Sequence, residues 1–366
     1  MDIIKAIASE LNVRNNQVEA AVKLIDEGCT IPFISRYRKE ATGALNDEQL
    51  RNLDERLKYL RNLEDKKTQV IASIAEQGLL TDELKNQIEK ADTMVAVEDL
   101  YRPYRPKRRT RATIAKEKGL EPLANIIMLQ MTGEPVVKTA EEYVSEEKDV
   151  KTPEDAVAGA KDIIAESISD NADYRTRIRE ITFKEGVLTS AAKDAEAKTV
   201  YEMYYNFSEP AAKMAGHRIL AVNRGENEKI LTVKIEAPVD KILSYLEKQI
   251  IVRDNRYTTG IIKEAIEDSY ERLIAPSIER EIRNQLTETA EAGAIKVFGR
   301  NLEQLLLQPP ITGHVVLGWD PAFRTGCKLA VVSPTSSVLN ISVIYPHEPH
   351  NKWEESKKTL KDLFKK

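Results

Sequence analysis

The sequence predicts a mainly α-helical, multidomain protein that carries a small β element in its central region and ends in an α/β segment. Three observations carry this expectation. Up to Leu307, most apolar residues recur every three or four positions, the spacing that gathers them on one face of a helix. Two stretches, 186–192 and 230–237, break that rhythm. In the second, Leu231, Val233 and Ile235 alternate with Thr232, Lys234 and Glu236, as in a half-buried strand. Finally, apolar runs at Val315–Leu317, Leu329–Val332 and Val338–Ile344 follow the turn-rich stretch 308–313 and precede a charged, helix-like tail.

Taken in order, residues 3–10 and 15–27 read as two short amphipathic helices joined by Leu11-Asn12-Val13-Arg14, with Gly28 stopping the second. This spacing resembles a helix-turn-helix, though two helices packing on a helical core without any nucleic acid fit it better. Asn46 with Gln49 three residues on forms a capping box. Leu50, Leu53, Leu57, Leu60 and Leu63 then define one buried face. Gly78 ends the next segment. Thr152-Pro153-Glu154-Asp155 is a second strong helix start, because the hydroxyl caps the first turn and proline sits where a missing N–H costs nothing. Val157, Ala160, Ile163 and Ile164 form its apolar face. The stretches 186–192 and 230–237 are expected to pair as a small sheet. From 241 to 307 the chain reads as helical again, punctuated by Gly260, Pro276 and Gly293, and Gln308-Pro309-Pro310-Ile311-Thr312-Gly313 is a linker. The expected domains are 1–75, 76–307 and 314–366, with 308–313 between the last two.

Composition excludes several classes. At 366 residues, with 42% hydrophobic and 31% charged, the chain has ample length for buried cores and is not of disordered composition. No apolar run reaches the roughly 18 residues of a membrane span. The start Met1-Asp2-Ile3-Ile4-Lys5 lacks the basic and apolar blocks of a signal peptide. Cys29 and Cys327 lie far apart and read as reduced thiols, so a cytoplasmic location without membrane partners is expected. A net charge of −4 gives no global pull on nucleic acid, and any such binding needs a local patch.

The densest such patch is Tyr101-Arg102-Pro103-Tyr104-Arg105-Pro106-Lys107-Arg108-Arg109-Thr110-Arg111. Its prolines predict an extended surface loop, since each disfavours a helical conformation in the residue before it. Guanidinium forks grip phosphates and tyrosine faces stack on bases, so Arg102, Arg105, Lys107, Arg108, Arg109, Arg111, Tyr101 and Tyr104 are the candidate nucleic-acid contacts. Glu98, Asp99, Glu117 and Glu121 equally allow a structural, salt-bridged loop. A second cluster, Ser35-Arg36-Tyr37-Arg38-Lys39-Glu40, follows the apolar Ile31-Pro32-Phe33-Ile34 and reads as a solvated cationic turn beside an apolar anchor. His347-Glu348-Pro349-His350 lacks further ligands and reads as a loop histidine pair. There is no phosphate loop and no nucleophile motif, and no cofactor is expected.

Several long segments, in this order, resemble the Tex family of bacterial transcription accessory proteins. They are IPFISRYRKEATGAL (31–45), VEDLYRPYRPKRRTRATIAKEKGLEPLA (97–124), HRILAVNRGE (217–226), RLIAPSIEREIR (272–283) and NLEQLLLQPP (301–310). GWDPAFRTGCK (318–328) is similar to the opening of that family's YqgF-type, ribonuclease-H-like domain. The resemblance implies a largely helical nucleic-acid-binding protein, related in architecture to a eukaryotic transcription elongation factor. It also implies that residues 314–366 are only the start of the ribonuclease-H-like domain, and that helix-hairpin-helix elements and an OB-fold RNA-binding module follow in a protein of roughly twice this length. In such a domain Asp320 would be the first metal-binding carboxylate, the candidate catalytic residue. Two departures weaken that role: Ala322 replaces the glycine of the family pattern, and Ser333 stands where an acid is usual. Two metals about 4 Å apart need several carboxylates. The expectation is therefore a nucleic-acid-binding transcription accessory protein, not an enzyme, with a metal-dependent nuclease and an interaction platform for transcription machinery as the alternatives.

Overall fold

A computed structural model describes residues 2–309 and 311–365. Met1, Lys366 and Pro310 of the expected linker lie outside the described residues. The chain forms two compact units, Met1–Glu291 and Ala292–Lys366.

The first unit holds two hydrophobic cores. One is built around α4 (Asp47–Glu76), with α1 (Ile3–Leu11), α2 (Asn15–Asp26), α3 (Ile31–Tyr37), α5 (Asp82–Lys90) and α6 (Met94–Tyr101) against it. Asp2 caps α1 by accepting from the Lys5 N–H at 3.1 Å, and Asn12, in the left-handed conformation, ends it. The chain then doubles back, and α1 and α2 bury Ile7, Ala8, Val18 and Ala21. The Asn46–Gln49 capping box is reciprocal, at 2.8 and 3.0 Å. Behind it, Leu50, Leu53, Leu57, Leu60 and Leu63 are all buried, as their spacing requires. The apolar anchor at Ile31–Ile34 is helical, and Ser35, Arg36 and Tyr37 continue that helix; the turn begins only at Arg38.

The second core is arranged around α10 (Pro153–Asp170). Against it lie α7 (Arg111–Glu117), α8 (Glu121–Leu129), α9 (Val136–Ala140) and α11 (Ala172–Glu185). Thr152 and Asp155 cap α10 reciprocally at 3.0 and 3.1 Å, with Pro153 in the first turn. Gly159 lets it approach the α7–α8 corner, where any Cβ would collide with Leu120. The small sheet is antiparallel, ordered β2-β1-β3, from β1 (Val187–Ala192), β2 (Asn206–Pro210) and β3 (Leu231–Glu236). β3 buries Leu231, Val233 and Ile235 and exposes the residues between. β2 was not legible, because its five residues Asn-Phe-Ser-Glu-Pro bring one large apolar side chain and no clear alternation.

The helices α12 (Gly216–Asn227), α13 (Val239–Ile250) and α14 (Thr259–Asp268) lead into a π-helical stretch, Ser269–Ile274, and α15 (Ala275–Leu306). Here the expected punctuation is not observed. Gly260 lies in the first turn of α14, and Pro276 and Gly293 lie inside α15. Proline cannot donate to the carbonyl four residues back, and the wider π turn just before Pro276 accommodates that loss. Gly293 has open space around it and costs an exposed helix only about 1 kcal/mol.

In the second unit, β4 (Val316–Asp320), β5 (Cys327–Val332) and β6 (Val338–Ile344) form an antiparallel sheet ordered β4-β5-β6, followed by α16 (Trp353–Lys365). Its core is Cys327, Leu329 and Ile344, with Leu317, Leu360 and Leu363 packed on it. The three expected strands and the charged helix are all present.

Leu53 is fully buried in α4, whereas Leu302 of α15 is 44% exposed. Leu53→Ala should lower the urea-unfolding free energy by about 2–5 kcal/mol, and Leu302→Ala by no more than about 0.5 kcal/mol. Equal losses at the two sites would contradict this burial.

Candidate nucleic-acid interface

The basic segment is not extended throughout. α6 runs to Tyr101, and Arg102-Pro103-Tyr104 make one 3₁₀ turn closed by Arg105 N–H donating to the Tyr101 carbonyl at 3.0 Å. A proline within the first turn of a helix breaks no helical hydrogen bond, so Pro103 permits this turn. Only 105–110 is irregular, and the Thr110–Thr113 capping box then starts α7 with Arg111.

This geometry divides the candidates into anchors and outward groups. Tyr101 hydrogen-bonds Ser73 at 3.0 Å and has the Lys66 ammonium 5.9 Å from its ring centroid. Tyr104 packs on the first core, and its carbonyl accepts from Gln77 at 3.0 Å. Both side chains are partly buried against the first core. Lys107 is half-buried between Asp170, with which it pairs, and Glu166 at 3.3 Å. Burial raises the Asp170 carboxyl above its ordinary value, and Lys107 opposes that rise only in part. Arg102 is half-buried too, and burial, with the nearby Arg175 guanidinium, lowers its pKa. The remaining guanidiniums face solvent. Arg105 lies 3.9 Å from Glu98 and is 66% exposed, and Arg109 lies 3.3 Å from Glu117 and is 72% exposed. Arg108 and Arg111 are exposed and make no ion pair among the described residues.

Clefts of about 770 and 470 Å³ flank Lys107. Arg105, Lys107, Glu166 and Asp170 line both, and Glu98, Asp99 and Glu281 also line the smaller one, where acids outnumber cations. Four guanidiniums of the segment, those of Arg105, Arg108, Arg109 and Arg111, remain exposed.

Beneath the segment lies a buried ionic network. Arg175 of α11, 0% exposed, donates to Asp99 of α6 at 2.7 Å, and to Glu281 and Ser277 of α15 at 2.8 and 2.9 Å. Arg179 bridges the same two carboxylates at 2.7 and 2.8 Å. The sequence made Asp99 a partner for the basic loop, but its carboxylate is taken by α11. Glu98 and Glu117 do pair with the loop, at Arg105 and Arg109, while Glu121 pairs with Lys116. The signal missed was Arg175 and Arg179, one helical turn apart on α11 and facing these acids.

In the second unit, Asp320 is exposed at the end of β4, and Lys328 is its cross-strand partner on β5. Ser333 builds the β5–β6 turn, accepting from the Thr335 and Ser337 N–H groups at 3.3 and 3.0 Å. Among the described residues, no three His, Cys, Asp or Glu side chains come together to hold a metal. One carboxylate facing a lysine does not fit a two-metal centre. His347 and His350 pack on Phe323 and Tyr345.

Burial alone would raise the Glu281 carboxyl, but Arg179 and Arg175 overcome it and hold its pKa below the ordinary glutamate value. A depressed carboxyl adds stability that is present above its unfolded pKa and lost as pH falls through the folded one. Asp170, raised by burial, acts in the opposite sense over the same acidic range. Melting temperatures recorded from neutral pH into that range should fall more steeply for the parent protein than for Glu281→Gln, which has no such charge to lose. Parallel curves would show that Glu281 does not contribute in this way.

Three family models match the chain in order: Tex-like protein N-terminal domain over residues 1–75, Tex central region-like over 132–298, and Tex protein YqgF-like domain over 314–366. Among curated proteins, the chain is 52% identical over 361 residues to the uncharacterized protein YdcI of Bacillus subtilis, covering 98% of this chain and 50% of that one. It is 40% identical over 378 residues to Protein tex of Bordetella pertussis, covering 99% and 47%. To the transcriptional accessory protein Tex of Neisseria gonorrhoeae it is 39% identical over 361 residues, covering 96% and 47%. The chain thus spans about half the length of these relatives. With all three Tex models matched in sequence along it, the chain belongs to the Tex family.

Proposed function

We propose that this chain is the helical scaffold part of a nucleic-acid-binding transcription accessory protein. On this reading it meets nucleic acid through Arg105, Arg108, Arg109 and Arg111. The observation that carries the proposal is the anchoring of the segment: Tyr101, Tyr104 and Lys107 tie it to the two cores, so the outer guanidiniums are presented without much loss of backbone freedom on binding. The Arg105–Glu98 and Arg109–Glu117 pairs are solvent-exposed. Such pairs contribute about 0–1 kcal/mol, and a phosphate taken in both prongs of a guanidinium fork can replace them. The relative from Neisseria gonorrhoeae is named a transcriptional accessory protein, which fits this role. In the whole protein, we place the principal RNA-binding module outside these residues, and transcription machinery among its partners.

Each phosphate contact to a single strand contributes a slope of about −0.7 in log affinity against log salt. Replacing Arg105, Arg108 and Arg109 together by alanine should flatten that slope by about two units, weaken binding alike for all sequences, and leave the melting temperature nearly unchanged. A variant that melts earlier but binds as before would assign the three arginines to the scaffold.

We also propose that residues 1–366 do not cleave nucleic acid, on the ground of the single carboxylate described above. Labelled single strands and duplexes incubated with Mg²⁺ or Mn²⁺ should stay intact. Cleavage that disappears in Asp320→Asn would refute this.

A further inference from the structure

The turn after α3 presents a second and freer cationic surface. α3 points Ile34 and Ser35 inward, and leaves Phe33 and Tyr37, one helical turn apart, on its outer side at 36% and 66% exposure. Their ring centroids are 5.4 Å apart at a 44° tilt, and the Arg38 guanidinium lies 5.2 Å from the Phe33 centroid. Arg36, Arg38 and Lys39 are exposed and form no ion pair among the described residues. This stands out in a chain whose Asp and Glu outnumber its Lys and Arg, 59 to 55, and whose other basic segment pairs Arg105, Lys107 and Arg109 with acids. Glu40 is the one acid in the turn, and it too is exposed.

The turn is also held in shape. The buried Thr42 hydroxyl donates to the Arg38 and Lys39 carbonyls, each at 3.3 Å. Gln17 of α2 donates to the Gly43 carbonyl at 2.7 Å, and Arg38 donates to the Tyr37 carbonyl at 3.3 Å. Gly43 is left-handed, and a Cβ there would press on the Gln17 side chain. An exposed aromatic pair with three cations that make no ion pair among the described residues, on a braced turn, combines the two features that grip unpaired strands: a face for bases and charges for phosphates.

We propose that α3 and its following turn form a platform for single-stranded nucleic acid, with a base stacked on Tyr37 and phosphates held by Arg36, Arg38 and Lys39. Bases within a duplex hide their faces, so the platform selects unpaired strands. The inference rests on the nucleic-acid reading above, but on residues separate from Arg105, Arg108 and Arg109.

The test uses the full 366-residue chain with fluorescein-labelled oligo(dT) and oligo(U), a duplex of equal length, and a poly-glutamate peptide. Tyr37→Ala should weaken single-strand binding by roughly 5- to 100-fold with little change in salt slope or melting temperature, while leaving duplex binding unchanged. Tyr37→Phe should retain binding, since stacking needs only the ring. Arg36→Ala with Lys39→Ala should flatten the single-strand slope by about 1.4. Photo-crosslinking with a 5-iodouracil strand should label Tyr37. If Tyr37→Ala binds like the parent while the Arg105, Arg108 and Arg109 variant loses affinity, the platform is refuted and the nucleic-acid reading stands. If the parent protein binds no strand at all, both fall. Binding of the acidic peptide alone, dependent on Tyr37, would make this a protein contact and overturn the proposal.

Discussion

Arg175 is fully buried, and a guanidinium cannot shed its proton to escape the cost of burial, so its place in the fold exists only while Asp99 and Glu281 face it. Those carboxylates come from α6 and α15, far apart in sequence, and Arg175 and Arg179 come from α11. The network joins the helix that closes the first core to two helices of the second. Removing one member of such a buried cluster costs about 3–5 kcal/mol, because the charges left behind stay desolvated. A hydrophobic contact tolerates small slips, but these hydrogen bonds, between 2.7 and 2.9 Å, do not. They set where α6 ends relative to α11, and hence where the basic segment begins.

That placement divides the work within the segment. Directly above the network, Arg102 and Lys107 face acids of α10 and the network itself, and act as anchors. Arg105, Arg108, Arg109 and Arg111, by contrast, are exposed. Cations within these eleven residues thus take different roles, as Lys107 pairs with the partly buried acids Glu166 and Asp170 and Arg108 with none among the described residues. The same principle separates this segment from the turn after α3. There the local helix turns Ile34 inward and Phe33 and Tyr37 outward, and among the described residues no acid pairs with the cations.

Much of the fold was legible because it rests on local rules. The Asn46–Gln49 and Thr152–Asp155 caps, the leucine face of α4 and the alternation of β3 each involve residues within a few positions, whose spacing alone decides which face is buried. The misreadings have equally local causes. Gly260, Pro276 and Gly293 looked like breaks, yet a π turn and an exposed helix surface absorb them. The prolines of the basic segment looked like an extended loop, yet Pro103 sits where a helical turn lacks nothing. β2 carried too little pattern to be seen.

By itself, then, the sequence determined the helical character of the chain up to Leu307, the caps of α4 and α10, the paired strands β1 and β3, the three-strand segment after Gly313 and, through its ordered motifs, membership of the Tex family. It also located the cations. Which of them are free was decided only in the tertiary structure. A cation's availability depends on the carboxylates that packing brings within about 4 Å, the range at which two charges pair. For Lys107 those are Glu166 and Asp170, 59 and 63 positions away in the chain, and for Asp99 the decisive arginine is 76 positions away. Contacts at such separations leave no periodic trace in a sequence, because nothing local constrains which charge will face which.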